Sequence, residues 1–174
     1  RARGRPCRGR WRTAGHDGGR PRARIGWLWA YDGAVDLRWC WVDYRGGAAC
    51  RPWARLPPTV GMVTHLDGAL VERALASLTA ELKRRERVLA TVGAKDLADL
   101  RRQGTSLARL VISVDEFASL AEELPDFVRG LVGIAQRGRS LGVHLVLATQ
   151  RPEGVVSADI RANTNLRLCL AVAH

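Results

Sequence analysis

The alternation of apolar and polar residues predicts short buried strands separated by amphipathic helices from about residue 39 onwards. Continuous apolar runs predict strands at residues 39–43, 59–64, 109–115, 144–148 and 166–172. Apolar residues at three-and-four spacing predict helices at residues 68–91, 95–102, 125–137 and 159–163. Wholly apolar strands are typical of parallel sheets. The pattern therefore predicts an α/β fold, a doubly wound parallel sheet with helices on both faces.

Several predicted elements carry recognisable start and stop signals. Asp67 is a suitable N-cap for the long helix over residues 68–91, and Gly93 can end that helix. Gly46 and Gly47 predict a turn after the first strand. The prolines between the first two strands predict a loop there.

Polar residues stand at the ends of three predicted strands. Asp43 ends the first strand, Asp115 and Glu116 end the strand before the second long helix, and Thr149 and Gln150 follow the next strand. The carboxyl ends of parallel strands share one edge of a sheet, and ligands bind beyond that edge. The sequence therefore predicts that these side chains converge on one site.

The pair Asp115–Glu116 is the strongest candidate for chemistry, because buried carboxylates are costly unless they are paired or bind a cation. In the functional interpretation Asp115 holds Mg²⁺ through a water, and Glu116 polarises an attacking water. The alternative is an acidic helix N-cap, in which both carboxylates stabilise the helix dipole. The first interpretation indicates nucleotide hydrolysis.

Other polar residues near the predicted edge are weaker candidates. Gln150 could contact a γ-phosphate or orient a water, or it could be an ordinary loop residue. Four arginines could reach a phosphate of this subunit or of a neighbouring one, or could be solvated surface charges. They are Arg137, Arg139, Arg151 and Arg161.

The histidines and cysteines show no metal-ligand spacing. His65 and His144 have no suitable second residue beside them, so both are predicted to be structural. The cysteines contain no C-x-x-C pair and are predicted to be free thiols of a reducing cytoplasm. They are Cys7, Cys40, Cys50 and Cys169.

The first part of the chain has a different composition from the rest. Residues 1–38 are rich in Arg, Gly and Trp without a sustained helix or strand period, whereas residues 39–174 are patterned as a folded domain. The tryptophans stand at positions 11, 27, 29, 39, 41 and 53, and none follows. Two explanations stay open: a natural low-complexity arm, or an altered reading frame or misplaced start in a GC-rich gene.

The positive charge is concentrated in that first part. Nine Arg and one Asp in residues 1–24 account for eight of the eleven net positive charges. A basic arm could bind nucleic acid or an acidic surface, or could be a solvated segment with no partner. No apolar run approaches the roughly 18 residues of a membrane span. No signal peptide is predicted, because no apolar run follows the first arginines, and a cytoplasmic location is expected.

Three segments resemble the FtsK/SpoIIIE family of ATP-driven DNA translocases. They are VDYRGG at 42–47, ISVDEFASL at 112–120, and GRSLGVHLVLATQRP at 138–152 followed by IRANTNLR at 160–167. The motifs occur in the family's order and cover about residues 42–172. The sequences of these segments are most similar to the actinobacterial branch of the family, which includes type VII secretion ATPases.

The resemblance implies a RecA-like P-loop NTPase core, ATP and Mg²⁺ as cofactors, and a hexameric ring with nucleotide bound between subunits. By resemblance, Asp115 matches the magnesium-ligating Walker B Asp, Glu116 the catalytic Glu, and Gln150 the polar sensor. Arg137, Arg139 and Arg161 become candidates for phosphate or inter-subunit contacts. Members of the family are often tethered to a membrane through other regions.

One family feature has no counterpart in the sequence. The family carries a Walker A loop of the form GxxGxGKS about thirty residues before the VDYRGG region, where residues 8–20 here have glycines but no Gly-Lys-Ser/Thr. Such a loop wraps phosphates with backbone N–H groups, and its Lys reaches their oxygens. The strand that carries the loop is not recognisable either, so the core is expected to be incomplete at both ends.

The sequence therefore predicts a partial motor ATPase domain that is a weak or inactive ATPase alone, with DNA translocation as the activity of the intact motor. One alternative is a secretion-type ATPase that moves protein instead of DNA. A second is a non-catalytic subunit of a ring. A third is a nucleic-acid-binding protein that uses the basic arm.

Overall fold

The computed structural model describes residues 36–43, 50–64, 68–151, 156–164 and 166–168. These residues contain four strands: β1 (Leu37–Asp43), β2 (Thr59–Val63), β3 (Arg109–Asp115) and β4 (Val143–Leu147). They form one sheet in the spatial order β2-β1-β3-β4. Every neighbouring pair is parallel, which confirms the predicted α/β fold with a parallel sheet.

The described residues also contain five α-helices. They are α1 (Gly68–Thr91), α2 (Leu97–Arg102), α3 (Phe117–Glu123), α4 (Pro125–Gly138) and α5 (Ala158–Asn163). A short 3-10 helix, Arg51–Trp53, lies in the segment that was predicted to be a loop. None of the helices that the structure describes is both long enough and apolar enough to cross a bilayer.

The predicted elements before residue 164 are confirmed, with boundaries that differ by two residues or fewer. Helix α3 was not predicted, because its seven residues are too few to show a helical period. The strand predicted at 166–172 is wrong for residues 166–168, which form no strand. Its remaining residues, the Gly46–Gly47 turn, Asp67 and residues 1–35 lie outside the described residues, whereas Leu37 and Arg38, predicted to precede the folded domain, begin β1.

The apolar core lies on one face of the sheet. Val42 of β1 and the alternate β3 residues Leu110, Ile112 and Val114 are buried there. Each of the five helices contributes at least one buried residue to the same cluster. The described helices therefore pack into one apolar core with the sheet.

The opposite face carries a stack of tryptophans. The indole rings of Trp39 and Trp41 are nearly parallel, with centroids 5.0 Å apart, and Trp53 stacks on Trp41 at 6.0 Å. Trp41 also donates a hydrogen bond from Nε1 to Thr59 Oγ1 at 3.3 Å. Contacts of this kind fix the segment that joins β1 to β2 against the sheet, close to the carboxyl end of β1.

The turn between α4 and β4 is held by two neighbouring elements. Arg85 of α1 is 2% exposed and donates from Nη1 to the carbonyl oxygen of Leu141 at 2.9 Å. The amide of Leu97, at the start of α2, donates to the carbonyl oxygen of Ser140 at 3.2 Å. These bonds fix where β4 begins, and hence where its carboxyl end lies relative to β3.

Candidate functional site at the carboxyl edge of the sheet

The predicted convergence of the strand ends is present in the structure. Asp43 and Asp115 are direct partners across β1 and β3, so their Cα atoms stand side by side at one edge. The next strand along, β4, ends at the same edge, where the amide of Phe117 donates to the carbonyl oxygen of Ala148 at 2.8 Å. Glu116 is thereby placed between the ends of β3 and β4.

The order of the strands makes this edge a natural place for a ligand. The chain passes from β1 outward to β2 and then returns across β1 to β3 and β4. The direction of winding therefore reverses between β1 and β3, and Asp43 and Asp115 end those two strands. In open α/β sheets, ligands bind in the crevice at such a reversal point.

Glu116 has an unusual backbone for a glutamate. Its φ and ψ are 49° and 51°, the left-handed region, and it is the only non-glycine residue with positive φ in the described part of the chain. Such a conformation costs on the order of 1 kcal/mol or more and is concentrated at functional sites. It allows the chain to leave β3 and begin α3 within one residue, with Glu116 only 3% exposed.

The hydrogen bonds at this edge weigh against the helix-cap interpretation of Glu116. Its backbone occupies the N-cap position of α3, but its side chain makes no capping hydrogen bond. The nearby backbone donor is instead bound by Asp115, whose Oδ1 accepts from the amide of Glu116 at 2.9 Å. The Glu116 side chain is therefore not the hydrogen-bonding cap of α3, while stabilisation of the helix dipole by the two carboxylates stays an untested alternative.

Cys50 is a neighbour of this site that sequence reasoning missed. Burial raises the pKa of its thiol to about 12, and the nearby Asp43 and Asp115 carboxylates contribute to that rise, with the thiol donating a hydrogen bond to Asp43. The thiol is therefore protonated, and it supplies a hydrogen-bond donor to the side chain of Asp43, which is only 1% exposed. Both Cys40 and Cys50 are free thiols, as predicted. No sequence signal links Cys50 to Asp43, because the fold alone brings them together.

The carboxylates suit Mg²⁺ better than a metal that needs a complete protein cage. Within the described residues, no three His, Cys, Asp or Glu side chains are arranged to hold a metal. Mg²⁺ is usually held by one or two carboxylates together with waters and substrate phosphates. Asp43 and Asp115, side by side at an edge that contains an additional buried glutamate, fit that pattern.

The other predicted site residues do not all lie at this edge. Gln150 follows β4 at the carboxyl edge and is exposed, and the neighbouring Thr149 Oγ1 accepts from the amide of Arg151 at 3.1 Å. Arg137 and Arg139 stand just before β4, at the opposite end of that strand, roughly 15 Å away by strand length. The structure does not bring these two arginines to the carboxylates of their own chain.

Arg161 and the histidines have simpler positions. Arg161 is an exposed residue of α5, and its carbonyl oxygen accepts from Arg167 Nη2 at 2.8 Å. His144 lies on β4 opposite Val111, away from the carboxyl edge, and is exposed. His65 lies outside the described residues.

Comparison with known proteins identifies homologues in one class of secretion ATPase. No protein-family model matches the chain. The chain is 42% identical over 137 residues to the ESX secretion system protein EccC of Geobacillus thermodenitrificans, a match that covers 74% of this chain and 9% of that protein. The chain thus corresponds to a small segment of these much longer relatives.

Solved structures support the same assignment. The cytoplasmic domain of the type VII secretion ATPase EccC of Thermomonospora curvata is 32% identical, with a TM-score of 0.66 over 75% of this chain and 16% of that chain. EccC ATPases 2 and 3 of the same organism, in complex with a signal sequence peptide, match at 23% identity and a TM-score of 0.63, covering 75% and 24%. The second match, which is below 25% identity, shows the shared fold alone.

These relatives bear on whether the intact motor moves DNA or protein. The prediction of a DNA translocase is not supported, because the homologues are secretion proteins. The alternative, a secretion-type ATPase, is better supported by the comparisons.

Proposed function

We propose that this chain is a segment of a type VII secretion ATPase, part of a motor that uses ATP to move protein. The observation that carries the proposal is the paired edge of β1 and β3, with Asp43 beside Asp115 and a buried Glu116 next to them, in a chain 42% identical to EccC. Protein is the proposed cargo because a relative is known in complex with a signal sequence peptide. The proposed location is the cytoplasmic side of a membrane.

Each residue at the edge has a proposed role. Bound Mg²⁺ would supply positive charge to the phosphates of ATP. Asp115 would hold the ion, and Glu116 would accept a proton from the attacking water. Gln150, on the exposed segment after β4, senses the γ-phosphate. Asp43 adds a second carboxyl group to the edge and is hydrogen-bonded to Cys50.

The strained backbone at Glu116 supports a chemical role for that residue. A glycine at this position would adopt the left-handed conformation at little cost, whereas glutamate does so only with strain. The side chain of Glu116 is also buried, only 3% exposed. A strained backbone beneath a buried carboxyl supports a chemical role for this residue.

The sequence shows no glycine-rich loop of the kind that binds the phosphates of ATP. The sequence contains no Gly-Lys-Ser/Thr, and its lysines, Lys83 and Lys95, belong to α1 and to the loop before α2. We therefore propose that the chain alone is a weak or inactive ATPase. We also propose that, in a ring, Arg137, Arg139 and Arg161 contact the nucleotide of a neighbouring subunit; their exposed side chains support this proposal.

Magnesium-dependent ATP turnover by the purified chain tests this proposal. We expect turnover no higher than that of the Asp115→Asn and Glu116→Gln variants, because the carboxylates have no phosphate cradle beside them. Ordinary motor rates of about 1 s⁻¹ or more that both substitutions abolish would contradict it, and would mean that another part of the chain binds the phosphates.

A further inference from the structure

β4 is an outer strand of the sheet, and its free edge is not protected against pairing. One edge of β4 pairs with β3, and no strand among the described residues pairs with the other edge. Outer strands are usually protected by prolines, charged side chains or bulges. The five residues of β4 read Val-His-Leu-Val-Leu, without a proline, Lys, Arg, Asp or Glu, and the register with β3 contains no bulge. The free edge is therefore suited to binding another strand.

The hydrogen bonds to β3 show which backbone groups of β4 point outwards. The amide of Leu110 donates to the carbonyl oxygen of Gly142, and the amide of Ala148 donates to the carbonyl oxygen of Val114, both at 2.9 Å. Alternate residues of a strand bond to the same neighbour, so the even-numbered residues of β4 bond to β3. The odd-numbered residues direct their N–H and C=O groups to the free edge. They are Val143, Leu145 and Leu147.

A second copy of β4 satisfies all of these outward groups when it lies antiparallel about a two-fold axis at Leu145. Leu145 then exchanges hydrogen bonds with the same residue of the second copy, and Val143 exchanges them with Leu147. On the other face His144 stands opposite Val146, so two imidazoles do not face each other. Val146, which is 48% exposed in the single chain, becomes covered. The strand is therefore complementary to itself.

The two ends of β4 differ in charge, which favours the antiparallel arrangement. The start of the strand is flanked by three exposed arginines, Arg109, Arg137 and Arg139. The other end is flanked by one arginine and three acidic residues: Arg151, Asp43, Asp115 and Glu116. Antiparallel pairing places the basic end of each copy beside the acidic end of the other. Parallel pairing would bring like charges together.

We propose that the free edge of β4 is an interface at which two copies of this chain form a two-fold pair, with antiparallel strands and Leu145 on the axis. In the pair, Arg139 of each copy reaches the end of the other copy's β4, about two strand spacings, roughly 10 Å, from β3. Arg139 is exposed and forms no ion pair within the part of the chain that the structure describes.

Each copy thereby contributes a cation to the carboxylate edge of the other copy, an edge that its own Arg139 does not reach. This role of Arg139 rests on the proposed function, whereas the pairing rests on the strand alone. The two-fold pair is a property of this chain and differs from the ring proposed for the intact motor.

Sedimentation velocity of the full chain, without ATP or metal, tests the pairing. We expect a dimer, and a dissociation constant at least about tenfold higher for Val146→Lys, because lysine blocks strand pairing at an edge. The matched control is Val60→Lys on β2, the outer strand at the opposite side of the sheet, where Val60 is 59% exposed. A monomeric wild-type chain, or a dimer that Val60→Lys weakens as much as Val146→Lys, would overturn the proposal.

Cysteine crosslinking tests the antiparallel register. A His144→Cys chain and a Val146→Cys chain are mixed, allowed to exchange and oxidised. Opposite residues of this kind have Cα atoms about 4.5 Å apart, within the range of a disulfide. We expect a crosslinked dimer in the mixture and only the wild-type background in either chain alone. Crosslinking of either variant alone to the level of the mixture would overturn the proposed register.

Charge reversal tests the contribution of Arg139. Arg139→Glu would place a carboxylate beside the acidic edge of the other copy, so we expect the pair to weaken about tenfold at low salt. The control is Arg73→Glu, the same change of charge at an exposed position of α1. Equal weakening by the two variants would show a general effect of net charge and would overturn the role of Arg139.

Failure of this proposal is distinguishable from failure of the proposed function. The pairing depends on β4, and metal binding depends on Asp115. If the chain is monomeric but a divalent ion is found at the carboxylate edge, the pairing proposal fails alone. If no ion binds at that edge, the ATPase assignment fails whatever the state of association.

Discussion

Substitution of Arg85 by alanine is expected to lower the free energy of unfolding by about 3 kcal/mol. The guanidinium is buried, binds Glu81 through Nε at 2.7 Å, and donates from Nη1 to the carbonyl oxygen of Leu141 at 2.9 Å. Burial lowers the pKa of Arg85, which reflects the cost of desolvating its charge. Removal of the side chain leaves a void and a backbone carbonyl without its donor. Urea denaturation measures the change.

Arg84 provides a matched control for Arg85. It binds the same carboxylate, with Nε 2.7 Å from Glu81 Oε2, but about half of its side chain is exposed. Exposed ion pairs contribute little, so Arg84→Ala is expected to cost less than about 1 kcal/mol. If Arg84→Ala and Arg85→Ala lower the free energy of unfolding equally, the hydrogen bond from Arg85 to Leu141 contributes nothing to stability.

Substitutions at two glycines of α4 are expected to change stability in opposite directions. A Cβ on Gly138 would lie 2.6 Å from Val143 Cβ and 3.3 Å from the Val143 carbonyl oxygen, and Val143 is fixed in β4. Gly138→Ala is therefore expected to cost roughly 1–3 kcal/mol. A Cβ on Gly133 meets nothing within 4 Å, so Gly133→Ala is expected to stabilise the helix by roughly 0.5–1 kcal/mol.

Thermal denaturation of both glycine variants checks this pair. The same substitution is made in the same helix, so the intrinsic preference of alanine for helix cancels in the comparison. The remaining difference in stability between the two variants measures the cost of the close contact between Gly138 of α4 and Val143 of β4. A Gly138→Ala variant as stable as Gly133→Ala would show that the two elements can separate without cost.

The predictions for Arg85 and Gly138 both concern the segment that leads into β4. Arg85 and Gly138 fix the turn and the helix end that precede β4. β4 then runs beside β3, and the residue that follows it, Ala148, accepts the amide of Phe117, next to Glu116. A displacement at the start of β4 would shift the five residues of that strand and thus the carboxylate edge. We therefore expect these substitutions to disturb the carboxylates indirectly.

The sheet is largely predictable from the sequence because its strands are short apolar runs that end in polar residues. That pattern alone predicts that Asp43, Asp115 and Gln150 share one edge, and the parallel register of β1 and β3 confirms the first two as neighbours. The same logic fails at residues 166–168, which form no strand. An apolar run alone does not specify a strand, because a strand also needs a partner.

Other features of the site depend on contacts that no local pattern encodes. The left-handed backbone of Glu116 is unexpected for a glutamate, and the bond from Cys50 to Asp43 joins residues that only the fold brings together. Arg137 and Arg139 precede β4 in sequence, yet the strand separates them from the edge that they were predicted to serve.

The central claim is that the edge formed by Asp115 and its neighbours holds Mg²⁺, and the most direct test uses Mn²⁺ in its place. Mn²⁺ broadens the amide NMR signals of residues close to it, and the full isotope-labelled chain is titrated with and without ATP. We predict that the signals of Asp115, Glu116 and Ala148 broaden first and that Asp115→Asn abolishes this localised effect. Broadening that begins at the surface acids Asp96 and Asp99, or that is unchanged by Asp115→Asn, would contradict the claim.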